Sequence, residues 1–274
     1  MTDLSNLPPL RDALAAHGLL AKKSFGQHFL LDLNITRKIA RLAEVGPGDL
    51  VIEVGPGPGG LTRALVETGA RIVAVEKDPR FLPLLAELAE VSGGALSLIQ
   101  GDALDVDEGQ IAGGGAAHIV SNLPYNVGTP LLIKWLTGPY TPLSLTLMFQ
   151  KEVAERIVAS PGSDAYGRLA VIAQATAQVR LVMDIGRRAF TPPPKVESAV
   201  VRVVPNPDRL DPNLLDALQK VTAATFGQRR KMLRSSLKGL GGETLCAAAG
   251  LSADARAETI SVAGFLDLAR ATLV

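Results

Sequence analysis

Cysteine is almost absent from this chain of 274 residues: the one copy, Cys246, excludes an internal disulfide. There is no CxxC pair and no clustered Cys/His spacing. His17, His28 and His118 stand too far apart to share a helix face, so no metal is expected. No apolar run is long enough to cross a bilayer, and the opening MTDLSNLPPLRDAL lacks the apolar core of a secretory signal. A reducing, cytoplasmic setting with no membrane partner is therefore expected. Net charge is also scarce, at +1, which argues against a globally basic nucleic-acid coat protein while leaving room for a local basic patch. With 47% hydrophobic and 20% charged residues, the chain has an ordinary globular composition. Its length suits one large domain, or a large one with a small one.

Strand and helix patterns alternate through most of the chain. DLVIEVG is a short apolar run ending in glycines, as buried parallel strands are. LTRALVETG follows at helical spacing, with Leu61, Ala64 and Leu65 on one face and Gly69 as a stop. RIVAVEKD, ALSLIQGDALD, AAHIVSNLPY and LSLTLMFQ repeat the strand pattern, with PRFLPLLAELAE and TPLLIKWL as helices between them. This order predicts an α/β fold, a mostly parallel sheet covered on both faces. YGRLAVIAQATA reads as helical, and QVRLVMDIG and VESAVVRVVP as extended, which suggests an antiparallel edge. NPDRLDPN reads as a linker, and the patterns beyond it are helical. The expected division is 1–205 for the α/β domain, with an N-terminal helical segment, and 206–274 for a small all-α domain.

GPGPGG matches G-x-G-x-x-G at Gly55, Gly57 and Gly60, and Glu76 ends the next strand, so a dinucleotide-binding dehydrogenase is one reading. The prolines weaken it. A pyrophosphate needs free backbone N–H groups at the helix start, and Pro56 and Pro58 remove two. Glu53 adds negative charge where phosphates would sit. A nucleoside without phosphate escapes both objections. S-adenosylmethionine is such a ligand, and acidic residues suit its sulfonium cation. Glu76 can accept from two ribose hydroxyls, and Asp102, after the third strand, from the adenine amino group. Asp102 alone reads as a turn or helix-cap residue. Together with Gly55, Glu76 and Asn122 it would lie on the edge where open α/β sheets bind ligands.

Asn122, Leu123, Pro124 and Tyr125 form a turn at the end of the fourth strand. The Asn122 amide, free carbonyls at Leu123 and Pro124, and the flat face of Tyr125 suit a planar base with an exocyclic amine. Stacking on an aromatic contributes about 1–3 kcal/mol per base. Two acceptors on the amine hydrogens would favour the pyramidal, nucleophilic nitrogen. Catalysis would then rest on positioning and electrostatics, with no placed His or Lys as base. A purely structural Asn-Pro turn is the plainer alternative. FGQRRKMLRSSLKGL, from Phe226 to Leu240, holds five cations and no acid; taken alone it is a solvated helix face.

The ordered set KKSFGQHFL, VIEVGPGPGGLT, VEKD, QGDAL, SNLPYNV, FTPPPKVESAVV and FGQRRKMLRSSL resembles the small-subunit ribosomal RNA adenine N6,N6-dimethyltransferases over nearly the whole chain. The resemblance implies a Rossmann-like S-adenosylmethionine-dependent methyltransferase sheet with a small helical domain. It implies dimethylation of two adjacent adenosines near the 3′ end of 16S ribosomal RNA, on an immature small subunit, by a monomer. His28, Leu30, Gly55, Glu76, Asp102 and Asn122 would contact the cofactor; relatives often carry Asn where His28 stands. Asn122 to Tyr125 would hold the adenine, with Phe190 packing its other face. Phe190 precedes TPPPK, where little core is expected around it. Arg229, Arg230, Lys231 and Arg234, on an RNA-facing helix, would contact RNA phosphates, helped by Lys22 and Lys23. The alternatives are an assembly factor that binds without needing catalysis, a DNA adenine methyltransferase, and a dehydrogenase. A DNA enzyme would need a larger base-reading region than this helical tail. Relatives that modify large-subunit RNA share similar motifs.

Overall fold

The computed structural model describes residues 4, 7–19, 28–228 and 230–274. Its strands are β1 (Phe29–Leu30), β2 (Leu50–Val54), β3 (Arg71–Glu76), β4 (Leu96–Gln100), β5 (His118–Asn122), β6 (Ser144–Gln150), β7 (Ala177–Ile185), β8 (Phe190–Thr191) and β9 (Ser198–Pro205). Helices α1 (Leu10–Ala16), α2 (Leu33–Leu42), α3 (Gly60–Val66), α4 (Leu82–Val91), α5 (Glu108–Ile111), α6 (Gly128–Thr137), α7 (Lys151–Ile157) and α8 (Arg168–Thr176) alternate with them. Helices α9 (Pro212–Phe226), α10 (Leu233–Ser236), α11 (Gly242–Ala248) and α12 (Val262–Ala271) close the chain.

Seven strands form one sheet in the order β4-β3-β2-β5-β6-β9-β7. The five strands from β4 to β6 are parallel, and β9 runs antiparallel to β6. This is the expected α/β sheet with its antiparallel edge. Every residue of β2 is buried, as a central strand covered on both faces requires. Val51, Ile72, Ala74, Val120, Met148 and Val200 from five strands share a core with Ile39 and Ala40 of α2 and Leu61, Ala64 and Leu65 of α3. The chain leaves β2 toward β3 and β4, then returns to place β5 on the other side of β2. That reversal opens a crevice at the carboxyl ends of β2 and β5, where sheets of this type take ligands.

The described chain forms two compact units. One holds the residues up to Ala154 together with Arg180–Val204; the other holds Glu155–Val179 and Pro205–Val274. This differs from a single division after residue 205, because 155–179 belongs with the C-terminal helices. Polar and aromatic contacts explain the grouping. The Tyr166 hydroxyl donates to the Ile260 carbonyl at 2.9 Å, the Gly162 amide donates to Glu258 O at 2.7 Å, and the Tyr166 ring meets Phe226 edge-on.

The basic stretch is not one helix. α9 ends at Phe226, and Arg230 and Lys231 lie in a turn before the four-residue α10. The amides of Leu233 and Arg234 donate to Ala255 O and Ala253 O, which satisfies them outside any continuous helix. Arg229, Lys22 and Lys23 lie outside the described residues.

Candidate active site

A cavity of about 660 Å³ occupies the crevice. The glycine loop, the end of β3, the Asn122–Asn126 turn, His28 to Leu30 and Phe190 line it. Each element is placed by a local cause. Gly57 sits at φ 53°, in the left-handed region that side chains avoid. A Cβ on Gly60 would fall 2.6 Å from the Leu30 carbonyl, so only glycine lets α3 start so close to β1. β1 pairs antiparallel with β8, Leu30 opposite Phe190, and this ribbon brings the N-terminal segment to the cavity. The Ser121 hydroxyl donates to the Val54 carbonyl and ties the ends of β5 and β2 together.

The loop's amides are already committed. Gly55 N–H donates to Val75 O at 2.9 Å, Gly57 N–H to Glu76 Oε2 at 3.0 Å and Gly59 N–H to Pro56 O at 3.0 Å. Pro56 and Pro58 have no N–H. No donor from residues 55 to 59 is left for a pyrophosphate, which removes the usual basis for dinucleotide binding.

Glu53, Glu76 and Asp78 bring carboxyl groups to a lining that is otherwise mostly apolar. Glu53 is 1% exposed, and its Oε2 has no hydrogen-bond partner among the described residues. Burial pushes its pKa up to about 8. Glu76 is also buried; its Oε1 accepts the Asp78 amide at 2.7 Å while its Oε2 holds Gly57. Burial raises its pKa, opposed by those two N–H groups. Each carboxylate oxygen has a second lone pair for a ligand hydroxyl. Glycines that admit close approach and a buried acid with an oxygen unpartnered among the described residues fit a nucleoside without phosphate, and a cationic centre on it would favour ionisation of the buried acid.

The Asn122 turn is ordered differently from a turn with two free carbonyls. Pro124 O accepts the amides of Val127, at 3.1 Å, and Gly128, at 3.2 Å, because it starts the first turn of α6. The Asn122 side-chain amide and the Leu123 carbonyl have no partner among the described residues. These two are therefore the acceptors left for an amine. The turn abuts the glycine loop: a Cβ on Gly55 would lie 3.6 Å from Pro124 Cδ. Tyr125 is held through its hydroxyl, 2.9 Å from Ser198 Oγ, and burial raises its pKa.

A scan against protein-family models matches the description "Ribosomal RNA adenine dimethylase" over residues 18–272. The chain belongs to the ribosomal RNA adenine dimethylase family. Among its similar proteins is "Ribosomal RNA small subunit methyltransferase A" of Phenylobacterium zucineum (strain HLK1), 74% identical over 98% of this chain and 94% of the relative. The protein of the same name from Xanthobacter autotrophicus (strain ATCC BAA-1158 / Py2) is 57% identical over 98% of this chain and 95% of its own. A crystal structure of a dimethyladenosine transferase from Plasmodium falciparum shares the fold, with a TM-score of 0.74 at 24% identity over 88% of this chain and 96% of that one.

In this dimethylase-family chain the structure brings His28, Leu30, Gly55, Glu76, Asn122, Leu123, Pro124, Tyr125 and Phe190 to one cavity. Asp102 is not part of its wall. Asp102 Oδ2 lies 2.6 Å from Lys77 Nζ, which holds the carboxylate below its usual pKa, and Lys77 does line the cavity. The expectation of little core around Phe190 fails: it is 2% exposed and shares the core with Leu30, Met148 and Val200. His28 and Lys77 both line the cavity. His28 Nδ1 meets Pro192 O at 2.7 Å, with its ring stacked toward Tyr125 at a centroid separation of 6.3 Å, while Lys77 carries the ion pair to Asp102. Sequence reasoning used Glu53 only as a charge and did not single out Phe29, Phe81 or Ser198. An acid as the fourth residue of an otherwise apolar buried strand was the signal available for Glu53. In the helical unit Arg234 is paired with Asp254 at 2.7 Å, an acid from outside the basic stretch.

Proposed function

We propose that the chain transfers methyl groups from S-adenosylmethionine to N6 of two adjacent adenosines near the 3′ end of small-subunit (16S) ribosomal RNA, giving N6,N6-dimethyladenosines on an immature small subunit. The observation that carries this reading is the pair of unpartnered acceptors, Asn122 Oδ1 and Leu123 O, at the end of β5 beside the glycine loop. The relatives' name supports the small subunit as the substrate particle.

S-adenosylmethionine, when bound, supplies an electrophilic methyl group on a sulfonium sulfur. Glu76 accepts ribose hydroxyls, with Gly57 and Asp78 holding its carboxylate in place. Burial keeps Glu53 largely protonated near neutral pH, and a cation bound beside it would favour its ionised form. Asp102 would accept from the adenine amino group only after leaving the Lys77 ammonium, now 2.6 Å from its Oδ2. On the substrate side, Asn122 and Leu123 accept the two N6 hydrogens and draw the nitrogen lone pair out of conjugation. With the donor bound, the nitrogen lone pair would take its methyl group, the donor leaving as a neutral thioether, and the nitrogen would then release one proton to solvent. The acceptors bind more strongly as positive charge grows on nitrogen, so they act on the transition state above the ground state. Tyr125 and Phe190 supply the aromatic faces of the base slot.

Arg229, Arg230, Lys231 and Arg234 of the helical unit, with Lys22 and Lys23, contact RNA phosphates, which position the enzyme without reading sequence. For Arg234 this means sharing its charge with Asp254. The enzyme acts as a cytoplasmic monomer. Among the described residues no helix is long and apolar enough to cross a membrane, and no His/Cys/Asp/Glu cluster could hold a metal.

The test is incubation with unmethylated small and large subunits and labelled cofactor, followed by nucleoside analysis of the RNA. Label in N6,N6-dimethyladenosine of small-subunit RNA is expected. Label confined to large-subunit RNA, or none in adenosine, overturns the reading.

A further inference from the structure

The helical unit is not the only cationic surface. A tight 3-10 turn, Arg187–Ala189, immediately precedes β8, and the Phe190 amide donates back to Arg187 O. Arg187 and Arg188 are therefore one turn from a residue that lines the cavity. The turn is anchored from below, because Ala189 and Phe190 pack into the methyltransferase core while both arginines are exposed. Lys195, also exposed, stands three residues before Ser198, whose hydroxyl holds Tyr125. Arg187, Arg188 and Lys195 have no ion-pair partner among the described residues. The neighbouring acids face another cation: Asp184 and Glu197 share the Lys151 ammonium, 3.2 Å and 3.8 Å from its Nζ. Acids thus line the cavity, while exposed cations stand close in sequence to Phe190, which lines it, and to Ser198, which holds Tyr125.

We propose that Arg187, Arg188 and Lys195 form a phosphate-binding rim on the methyltransferase unit. The rim grips the backbone of the single strand that carries the target adenosine. This rests on the reading of the chain as an RNA adenosine methyltransferase. A base can enter the slot only if its nucleotide leaves the stack, so the strand needs holding at the slot itself, whatever the helical unit holds elsewhere. Contacts to phosphate tolerate any base, which suits a site that must accept two successive nucleotides. The three side chains are positioning residues; none touches the reacting atoms.

The experiment compares the parent, Arg187→Ser/Arg188→Ser and Arg187→Lys/Arg188→Lys on small subunits, with kcat/KM measured across a salt series. Each phosphate contact on a single strand contributes a slope of about −0.7 in log–log terms, so the serine variant should be shallower by about 1.4. Its KM for the subunit should rise roughly tenfold at physiological salt, while its affinity for S-adenosylmethionine and its melting temperature stay at the parent's values. The lysine variant should keep the parent's slope, because charge and not the guanidinium fork is what counter-ion release reads. A serine variant with the parent's salt slope, or a lysine variant as shallow as the serine one, overturns the rim. A parent that labels no RNA adenosine overturns the functional reading instead, and the rim with it.

Discussion

The amide of Gly57 donates to Oε2 of Glu76 at 3.0 Å, across the cavity end of β2 and β3. The carboxylate proposed to read the ribose is thus the same group that closes the glycine loop. Loop shape and ligand recognition are coupled through one side chain.

Replacing Glu76 with Ala should therefore weaken S-adenosylmethionine binding by about 1.5–3 kcal/mol, the usual loss for a hydrogen bond to a charged group. Subunit binding should be unchanged, because Glu76 lies inside the cavity. Calorimetry with the cofactor alone measures the first effect and sedimentation with subunits the second. Unchanged cofactor affinity would count against the site as drawn.

Glu53 makes stability depend on pH. Its folded pKa is about 8 against an ordinary 4.5, so between those values the folded state binds more protons than the unfolded one. Its contribution is fully present below about pH 4.5 and is lost as pH rises to about 8, at up to roughly 1.4 kcal/mol per pH unit. In the cofactor-free protein, Glu53→Gln should be more stable than the parent at pH 8, with a gap that shrinks toward pH 5. Urea unfolding at both pH values checks this; a gap independent of pH contradicts the burial argument.

Lys134 secures the segment that follows β4. Its ammonium donates to Ala103 O, Val106 O and Glu108 Oε1, and Glu108 also accepts from Trp135 Nε1 at 2.7 Å. Lys134→Met leaves Glu108 buried without its cation and should cost about 3–5 kcal/mol in unfolding free energy. Adding Glu108→Gln should recover part of that loss. A double variant no more stable than the single one would show that the ion pair is not the cause.

In the helical unit, Arg229, Arg230 and Lys231 all replaced by Glu should weaken subunit binding and make it less salt-dependent, with cofactor affinity unchanged. Binding isotherms at several salt concentrations measure both. The parent's affinity and slope in the variant would mark the patch as a solvated face.

The sheet was legible because buried parallel strands are continuous apolar runs: Leu50–Val54 and Ile119–Val120 look alike in sequence and in burial. The glycine loop and the Asn122 turn were legible because each needs particular residue types at fixed spacing. Contacts between distant segments were not. The ribbon of β1 and β8 is two residues long on each side and joins Leu30 to Phe190, which no local pattern can announce. The burial of Phe190 follows from that ribbon. Pro124 O looked free until the start of α6 placed two amides on it. The pattern ALSLIQGDALD carries the strand on to Asp102, but β4 ends at Gln100 and Lys77 draws the carboxylate aside. The basic stretch kept helical composition while its backbone paired with residues 253–255.

The central claim is that Asn122 acts on the chemical step, through an amide that no group among the described residues occupies. Asn122→Ala should leave folding and subunit docking intact and cut single-turnover methyl transfer, at saturating cofactor and subunit, by roughly 10²–10³-fold, as other electrostatic acceptor and donor losses do. Retention of a rate within a few-fold of the parent would contradict the account and leave the turn as scaffolding.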